Sequence, residues 1–532
     1  MTLKKQFGIT ALVSVITTLF IFLVYSPAYV PIESTVISFS KILQGKTINI
    51  YAQKTILPFL DSYIPEREIA DTKADTTYIL STDNQSNSIT YSNKGTPLYT
   101  ETLIPAHKLS ASVETISLDE IKNGLSDGTI GVTSTAKEFT IDYFDLSTQV
   151  LTVYTSYKEI NTAIENDQTV IMSWQEANPQ WAILDIDQTS LLRPSENPWP
   201  LTLAYSVQGP QAVEIATAFH TVLPKTNFDH TKLTNVAVTG VTAISRGVEY
   251  EIARRNDPLY PARGVMDILS QADITHINNE NPLFDSCIPE KEGIVLCGKT
   301  PSLISLTAIG TDIVDLTGNH QNDYGYDANL ESINHLSQAG IEHFGGGINQ
   351  ADAEKILYKT VNGTTFAFVG YNYFDSLNGP DYVSIAKDDQ PGSNFYSEEK
   401  MARDILLAKQ NADIVFVHFQ FIETYQYFPL IEQEQVFRQA VDLGADVVVG
   451  VQSHQPQTVE FYNGSAIFYG LGNLFFDQMW SRQTRQGIIP WLSFYEGKLV
   501  NRYLYTTLLY DYSQPRFTNG SERSELLSEI LN

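Results

Sequence analysis

The sequence predicts an α/β protein, and three observations carry that prediction. From Leu233 onward short β-branched runs alternate with helical patterns, a β-loop-α repeat. Polar residues able to do chemistry fall at the C-terminal ends of those runs, the edge where ligands bind in α/β sheets. The composition, 43% hydrophobic and 11% aromatic, is that of a packed globular protein, and 532 residues exceed what one core holds, so two or more domains are expected.

The N-terminus comes first. Lys4 and Lys5 precede an uncharged apolar run from Phe7 to Val24, which extends to Ile32 through Pro27 and Pro31; Glu33 is the next charge. That length is at the lower edge of a membrane span. The charge order places later residues outside the cytoplasm. Ser26-Pro27-Ala28 is a poor cleavage site, so an uncleaved anchor over residues 1–32 is favoured over a cleaved signal peptide. The expected location is the cell membrane, single-pass, with the bulk of the chain outside.

Residues 33–230 read as an α/β lobe. Short β-rich runs (Thr77 to Leu80, Gln149 to Tyr154, Thr169 to Trp174) alternate with helical stretches such as Ser117 to Leu125. Ser117 with Glu120 three residues on is a capping-box pattern. Two patches, Ile116 to Gly128 and Pro198 to Val207, weakly resemble periplasmic phosphate-binding-like proteins. That likeness implies a solute-binding-like lobe; a spacer or docking domain is an equal expectation. A polar loop around Pro224 to Lys232 marks the boundary with a second domain, 231–512, and residues 513–532 read as a polar tail or a short terminal helix.

In the second domain NVAVTG (235–240), THIN (275–278), DIVDLTG (312–318), TFAFVGY (365–371), DIVFVHF (413–419) and ADVVVG (445–450) read as strands, and AIFYGLGNLFF (466–476) closes the series. Leu330, Ile333 and Leu336 are placed on one helix face stopped by Gly340, and Glu432 to Leu443 forms another helix ending at Gly444. Arg246 follows the first strand, Glu280 the second, and Asn319 with His320 the third; His418 ends DIVFVH, and His454 lies four residues past ADVVVG. One such histidine alone is usually a satisfied core or surface side chain. Three at equivalent strand ends, with an Asn and a Glu, point to a borderline divalent cation.

The ordered elements TGVTAISR, NNENP, GNHQNDYG, VHFQ, GVQSHQPQ and GLGNLFFDQ resemble the bacterial capsule-synthesis (CapA) family over residues 234 to 500. The resemblance implies a calcineurin-like metallophosphatase fold, an α-β-β-α sandwich of two mixed sheets flanked by helices. It also implies a link to capsule or poly-γ-glutamate production. The chain departs from the family pattern: Val241 stands where the family has a bridging Asp, and Val451 and Gln452 where it has two His. Valine cannot ligate, so one metal ion (Mn, Zn or Fe) is expected rather than two, on Glu280, Asn319, His320, His418 and His454. Arg246 is expected to pair with a substrate phosphate or carboxylate, and His320 is alternatively a general acid. Asp323 would orient an imidazole or cap a loop. Asn473 and Asp477 would brace the His454 loop. Arg482 and Arg485, beside Trp480, would form an anion-binding rim or simply a charged surface.

The formal charge of −27 argues against nucleic acid as a partner. Cys287 and Cys297, the two cysteines, are expected to form a disulfide in an oxidising compartment rather than a thiolate metal pair, since no CxxC spacing accompanies them. Three functions follow. The first is a membrane-anchored, metal-dependent hydrolase or phosphoesterase acting on an anionic polymer or a phosphorylated or γ-glutamyl substrate. The second is a non-catalytic binding or scaffold protein with a degenerate site, assisting polymer synthesis or export. The third is a solute sensor driven by the N-terminal lobe.

Overall fold

The structure, a computed structural model, describes residues 50–52, 60, 87–92, 94–111, 113–146, 151–221 and 223–531. The expected anchor over 1–32 and the expected strand Thr77 to Leu80 lie outside them, as do residues 147–150 at the start of the Gln149 to Tyr154 run. Among the described residues no helix is long and apolar enough to cross a membrane.

The chain divides into two compact units, Met1–Tyr99 with Ala204–Lys225, and Thr100–Leu203 with Thr226–Asn532. In the first unit Ile50–Ala52 runs parallel to Asn87–Tyr91, and the latter pairs antiparallel with residues 205–208, Tyr205 opposite Tyr91. Helix Ala212–Phe219 turns Ile215, Ala216 and Phe219 inward, and the His220 ring beyond it meets the Leu98 carbonyl at 2.8 Å.

In the second unit the lobe drawn from sequence at 33–230 is not one body. Residues 100–203 fold with the C-terminal half, and the chain returns at Thr226, inside the loop read as the boundary. The reason is a shared core: Ile104, Val170, Met172 and Trp174 pack in one cluster with Leu233, Tyr495 and Val500. Hydrogen bonds from Arg502 to the Pro179 carbonyl (2.7 Å) and from Asn235 to that of Leu192 (2.6 Å) tie the same seam. The expected helix forms over Leu118–Asp127. Ser117 and Glu120 complete the reciprocal cap, and Gly128 ends the helix at φ +83°, a left-handed conformation that glycine adopts without a Cβ clash.

The C-terminal half builds two facing sheets. The first takes strands β1 (Leu233–Thr242), β2 (Ile274–Asn279), β3 (Thr311–Asp315) and β4 (Glu342–Phe344) in parallel. The second begins with the antiparallel pair β5 (Leu357–Val361) and β6 (Thr364–Asn372). It continues parallel through β7 (Ile414–Gln420), β8 (Val447–Val451) and, beyond β9 (Val459–Tyr462) in sequence, β10 (Ser465–Phe468), with β9 antiparallel on the edge. The chain then returns to the first sheet. β11 (Asn473–Phe475) lies beside the end of β1, and β12 (Gln486–Tyr495), β13 (Lys498–Tyr510) and β14 (Gln514–Phe517) extend that sheet antiparallel.

Period-2 alternation sorts each strand between two faces. In β1, Val236 and Val238 enter the core between the sheets, while Ala237 faces helix α1 (Arg246–Arg255) and joins its Val248 and Ile252. In β7, Ile414 and Phe416 face the opposing sheet. Val415, Val417 and Phe419 pack on α3 (Glu398–Asn411) and α4 (Ile431–Asp442), the helices that follow α2 (Tyr326–Gln338). The layers are therefore helix, sheet, sheet, helix.

One detail differs from the sequence reading, and at the C-terminus the short terminal helix, one of its two alternatives, forms. On α2 the inward face is Asn329, Ser332, Ile333 and Leu336, and Leu330 is exposed. Steps of three residues drift around a 3.6-residue helix, and the polar pair earns burial by bonding Asn322 (2.8 Å) and the Leu283 amide (2.9 Å). The polar tail is ordered structure: β14 is followed by α5 (Gly520–Ile530), started by an Asn519/Glu522 capping box. Its Leu526, Leu527 and Ile530 join the inter-sheet core. Three apolar residues at helical spacing suffice for that, and average composition hides them.

Candidate site between the strand ends

The alternation that builds the core also builds the site. On the inter-sheet face β2 continues from Ile274 to His276 and Asn278, with Glu280 next; β3 runs from Ile313 to Asp315, then Thr317 and Asn319; β7 runs from Phe416 to His418 and Gln420. At the C-terminal ends the core face thus changes from apolar to polar on all three strands. Between β2 and β3 the change is staggered, with His276 opposite Ile313 and Asn278 opposite Asp315. Gly318 lets the Asn319 loop close in: a Cβ there would lie 2.6 Å from Glu280 Cα.

The outer level is an amide and carboxylate cluster. Gln420 Nε2 donates to Glu280 Oε1 at 2.8 Å and to Asn319 Oδ1 at 2.9 Å, and it also contacts Gln452 Oε1. Glu280, Gln420 and Gln452 are all buried. Three oxygens converge on one nitrogen that carries only two protons, while Gln420 Oε1 is buried without a partner. Gln452, which sequence reading treats as a lost ligand, is a member of this cluster. Its backbone, at φ +82°, and that of His454, at +53°, are left-handed, a cost of about 1–3 kcal/mol each for non-glycine residues.

The other expected residues stand around this cluster. His320 Nδ1 bonds Asp323 Oδ2 at 2.7 Å, and that oxygen also accepts the Leu296 amide at 2.7 Å. Burial pulls the His320 pKa down, but the hydrogen bond and charge of Asp323, with Glu280 and Asp375, leave it raised above the usual imidazole value. His454 is buried; Nδ1 donates to Asn473 Oδ1 at 3.1 Å, which leaves Nε2 as the nitrogen with a lone pair. Asn473 Nδ2 returns to the His454 carbonyl (3.2 Å) and that of Thr484 (2.9 Å), so Asn473 holds the loop.

Arg246 sits at the start of α1 and is already engaged. It pairs with Asp477 at 2.5 Å, donates to the Gly293 carbonyl at 2.7 Å and lies 4.7 Å from the Phe476 ring centre. Asp477 therefore braces Arg246 and the Gly247 amide (2.9 Å). Arg482 bonds Glu525 at 2.9 Å and Arg485 the Leu509 carbonyl at 3.1 Å. The three arginines are held by protein groups. Cys287 and Cys297 form the expected disulfide, Cα atoms 6.1 Å apart. Their loop carries Gly293 and Leu296, and so positions Arg246 and Asp323.

Of the inner level, only His418 was expected from sequence. His276, Asp315 and His418 bring one ligand atom each within 4.8 Å of one another. All three are buried, and neither ring nitrogen of either histidine has a hydrogen-bond partner. Burial holds the His276 pKa down to about 3 and that of His418 well below the ordinary value, so both rings are neutral. Burial lifts Asp315 to about 6, Glu280 adding to the rise, against hydrogen bonds from Thr317 and Asn278. His276 lies inside the run THIN, two residues before its end, and Asp315 lies in the run DIVDLTG where only the loop end attracts notice.

A divalent ion held jointly by Glu280, Asn319, His320, His418 and His454 does not fit this arrangement. Glu280 and Asn319 do point their oxygens at one place, but an amide nitrogen of the chain occupies it. Among the described residues the other such cluster is Asp285, Glu331 and His335, a set of surface ion pairs; Glu280, His320 and His454 belong to neither.

The fold and site define a two-sheet α/β sandwich with a polar cluster at the strand ends. Residues 235–478 match the model of the family described as bacterial capsule synthesis protein PGA_cap, and through them the chain belongs to that family. The chain is 31% identical over 278 residues to the capsule biosynthesis protein CapA of Bacillus anthracis, covering 51% of this chain and 66% of the relative. It is 33% identical over 180 residues to the PGA biosynthesis protein CapA of Bacillus subtilis, covering 34% and 46%. The chain thus spans about two thirds and about half of these relatives' lengths. A 5'-nucleotidase precursor from Thermus thermophilus is similar at TM-score 0.32 and 13% identity, over 56% of this chain and 58% of that one.

Proposed function

We propose that the protein is an accessory factor in the synthesis or export of a capsular polymer of the poly-γ-glutamate type, working by binding rather than hydrolysis. On this reading it has the calcineurin-like sandwich fold, is anchored by residues 1–32, and presents its C-terminal half outside the cytoplasm. Family membership supports the process. A single observation supports binding over hydrolysis: Gln420 Nε2 bonds the oxygens of Glu280 and Asn319 that a hydrolytic metal would need. The partly exposed His320–Asp323 pair favours a second reading, a hydrolase using His320 as proton donor.

One experiment separates them. Purified residues 33–532 are assayed for anisotropy of labelled poly-γ-glutamate, and in parallel for turnover of aryl phosphoesters and γ-glutamyl amides with Zn²⁺ or Mn²⁺. Binding without turnover supports the accessory reading. Metal-dependent turnover abolished by Glu280→Gln overturns it in favour of the hydrolase.

A further inference from the structure

We infer that His276, Asp315 and His418 form an interior site for one borderline divalent transition metal, of the zinc or iron(II) type. This site shares only His418 with the ligand set that sequence resemblance implies, and it stands independently of the polymer-binding reading.

The argument starts from buried polar groups. Buried imidazole nitrogens are normally paired, and leaving one unpaired costs about 1–3 kcal/mol. Here four ring nitrogens on two adjacent histidines, centroids 4.3 Å apart, have no partner. A carboxylate faces them. Asp315 Oδ1 accepts the Thr317 amide at 2.8 Å and Oδ2 accepts Asn278 Nδ2 at 3.2 Å, bonds that fix the carboxylate as second-shell donors fix a metal ligand. Asn278, whose amide nitrogen makes the second of these bonds, has its own Oδ1 buried without a partner.

The chemistry of the set is selective. Two neutral imidazoles and one carboxylate are the ligands of zinc and iron(II), not of magnesium or calcium, which take oxygen. Tetrahedral bonds of about 2.0–2.1 Å place ligand atoms about 3.3 Å apart. The three atoms here lie within 4.8 Å, so closing on an ion needs small side-chain rotations and no strand movement.

The surroundings decide the role. Phe344 and Phe368 pack against His276, and Phe344 and Phe416 against His418, in the core between the sheets. Substrate does not reach such a place, and a metal there would pin β2 and β3 of one sheet to β7 of the other. Ion and fold would then be loaded together, because the complete site exists only after the sheets meet.

The test uses the full chain, refolded in detergent with Zn²⁺, and separately with Co²⁺, then dialysed against chelator in the native state. The proposal expects close to one metal per chain retained, cobalt visible bands of a four-coordinate site, and X-ray absorption with two imidazoles in the first shell. Asp315→Asn and His276→Gln should each weaken Zn²⁺ binding at least tenfold, while Glu280→Gln and His454→Gln keep full stoichiometry. A folded wild type that takes up neither ion overturns the proposal. So does metal lost in Glu280→Gln but kept in Asp315→Asn, which would place the ion in the outer cluster. If a core variant does not fold, the wild-type absorption shell decides: fewer than two imidazoles refutes the site.

Discussion

The outer level lies two residues beyond the inner one on β7 (Gln420 after His418) and four residues beyond it past β2 and β3 (Glu280 after His276, Asn319 after Asp315), and the two levels solve opposite problems. At the outer level the oxygens of Glu280, Asn319 and Gln452 share the Gln420 amide nitrogen, while Gln420 Oε1 stays unpartnered. At the inner level His276, Asp315 and His418 converge without bonding. The outer level is held by loops: a disulfide-closed loop, a strained turn at Gln452 and His454, and the Asn473 brace. The inner level is held by aromatic side chains of the sheets themselves. The difference teaches that the same polar face can be largely paired where loops can adjust, and left unpaired where strands fix it.

The largest expected effect breaks the inner level alone. Phe368→Ala removes a fully buried ring stacked near His276 and should cost about 3–5 kcal/mol in denaturant unfolding. A loss under 1 kcal/mol would mean that strand packing does not hold this level. Next, Cys287→Ser with Cys297→Ser should cost about 3 kcal/mol by loop entropy. Hydrogen exchange should quicken at the Leu296 amide, which bonds Asp323, but not in β2 or β7. Uniform loosening would show that the two levels are one unit.

Gln420→Ala leaves Glu280 and Asn319 unpaired and should cost about 1–3 kcal/mol without added metal. The vacated space lets oxygen donors face one another, so Mn²⁺ or Ca²⁺ in calorimetric titration should bind the variant more tightly than the wild type. Equal affinities would show that the amide is not standing in for a cation. The smallest effect concerns protons. Asp323→Asn should lower the His320 pKa, followed by NMR titration of the ring. The sign follows from linkage: a raised folded value adds stability that is complete below about pH 6.5 and is lost as pH rises through the folded pKa. The wild type should therefore shed a little stability on alkalinisation from pH 6.5, and the Asn variant less.

Much of this was legible in the sequence. The strands of the C-terminal half follow from β-branched runs, the Leu118–Asp127 helix from its capping box, and the disulfide from the chain's two cysteines. Glu280, Asn319, His320, His418 and His454 were found because each sits where a strand pattern stops. Their partners were not, because partners come from other strands. Gln420 read as an ordinary strand residue until three oxygens from three loops met its amide.

The sequence by itself determined which residues face inward along each strand, since side-chain direction has period two and is local. It also determined where the polar chemistry lies, at the strand ends, and which family the chain belongs to. Only the tertiary structure decided what those residues touch. Pairing His276 and Asp315 of one sheet with His418 of the other depends on how two sheets stack, and folding residues 100–203 onto Leu233 and Tyr495 depends on a core shared over hundreds of residues. Such contacts carry no local periodicity, so the chain must be folded before they exist.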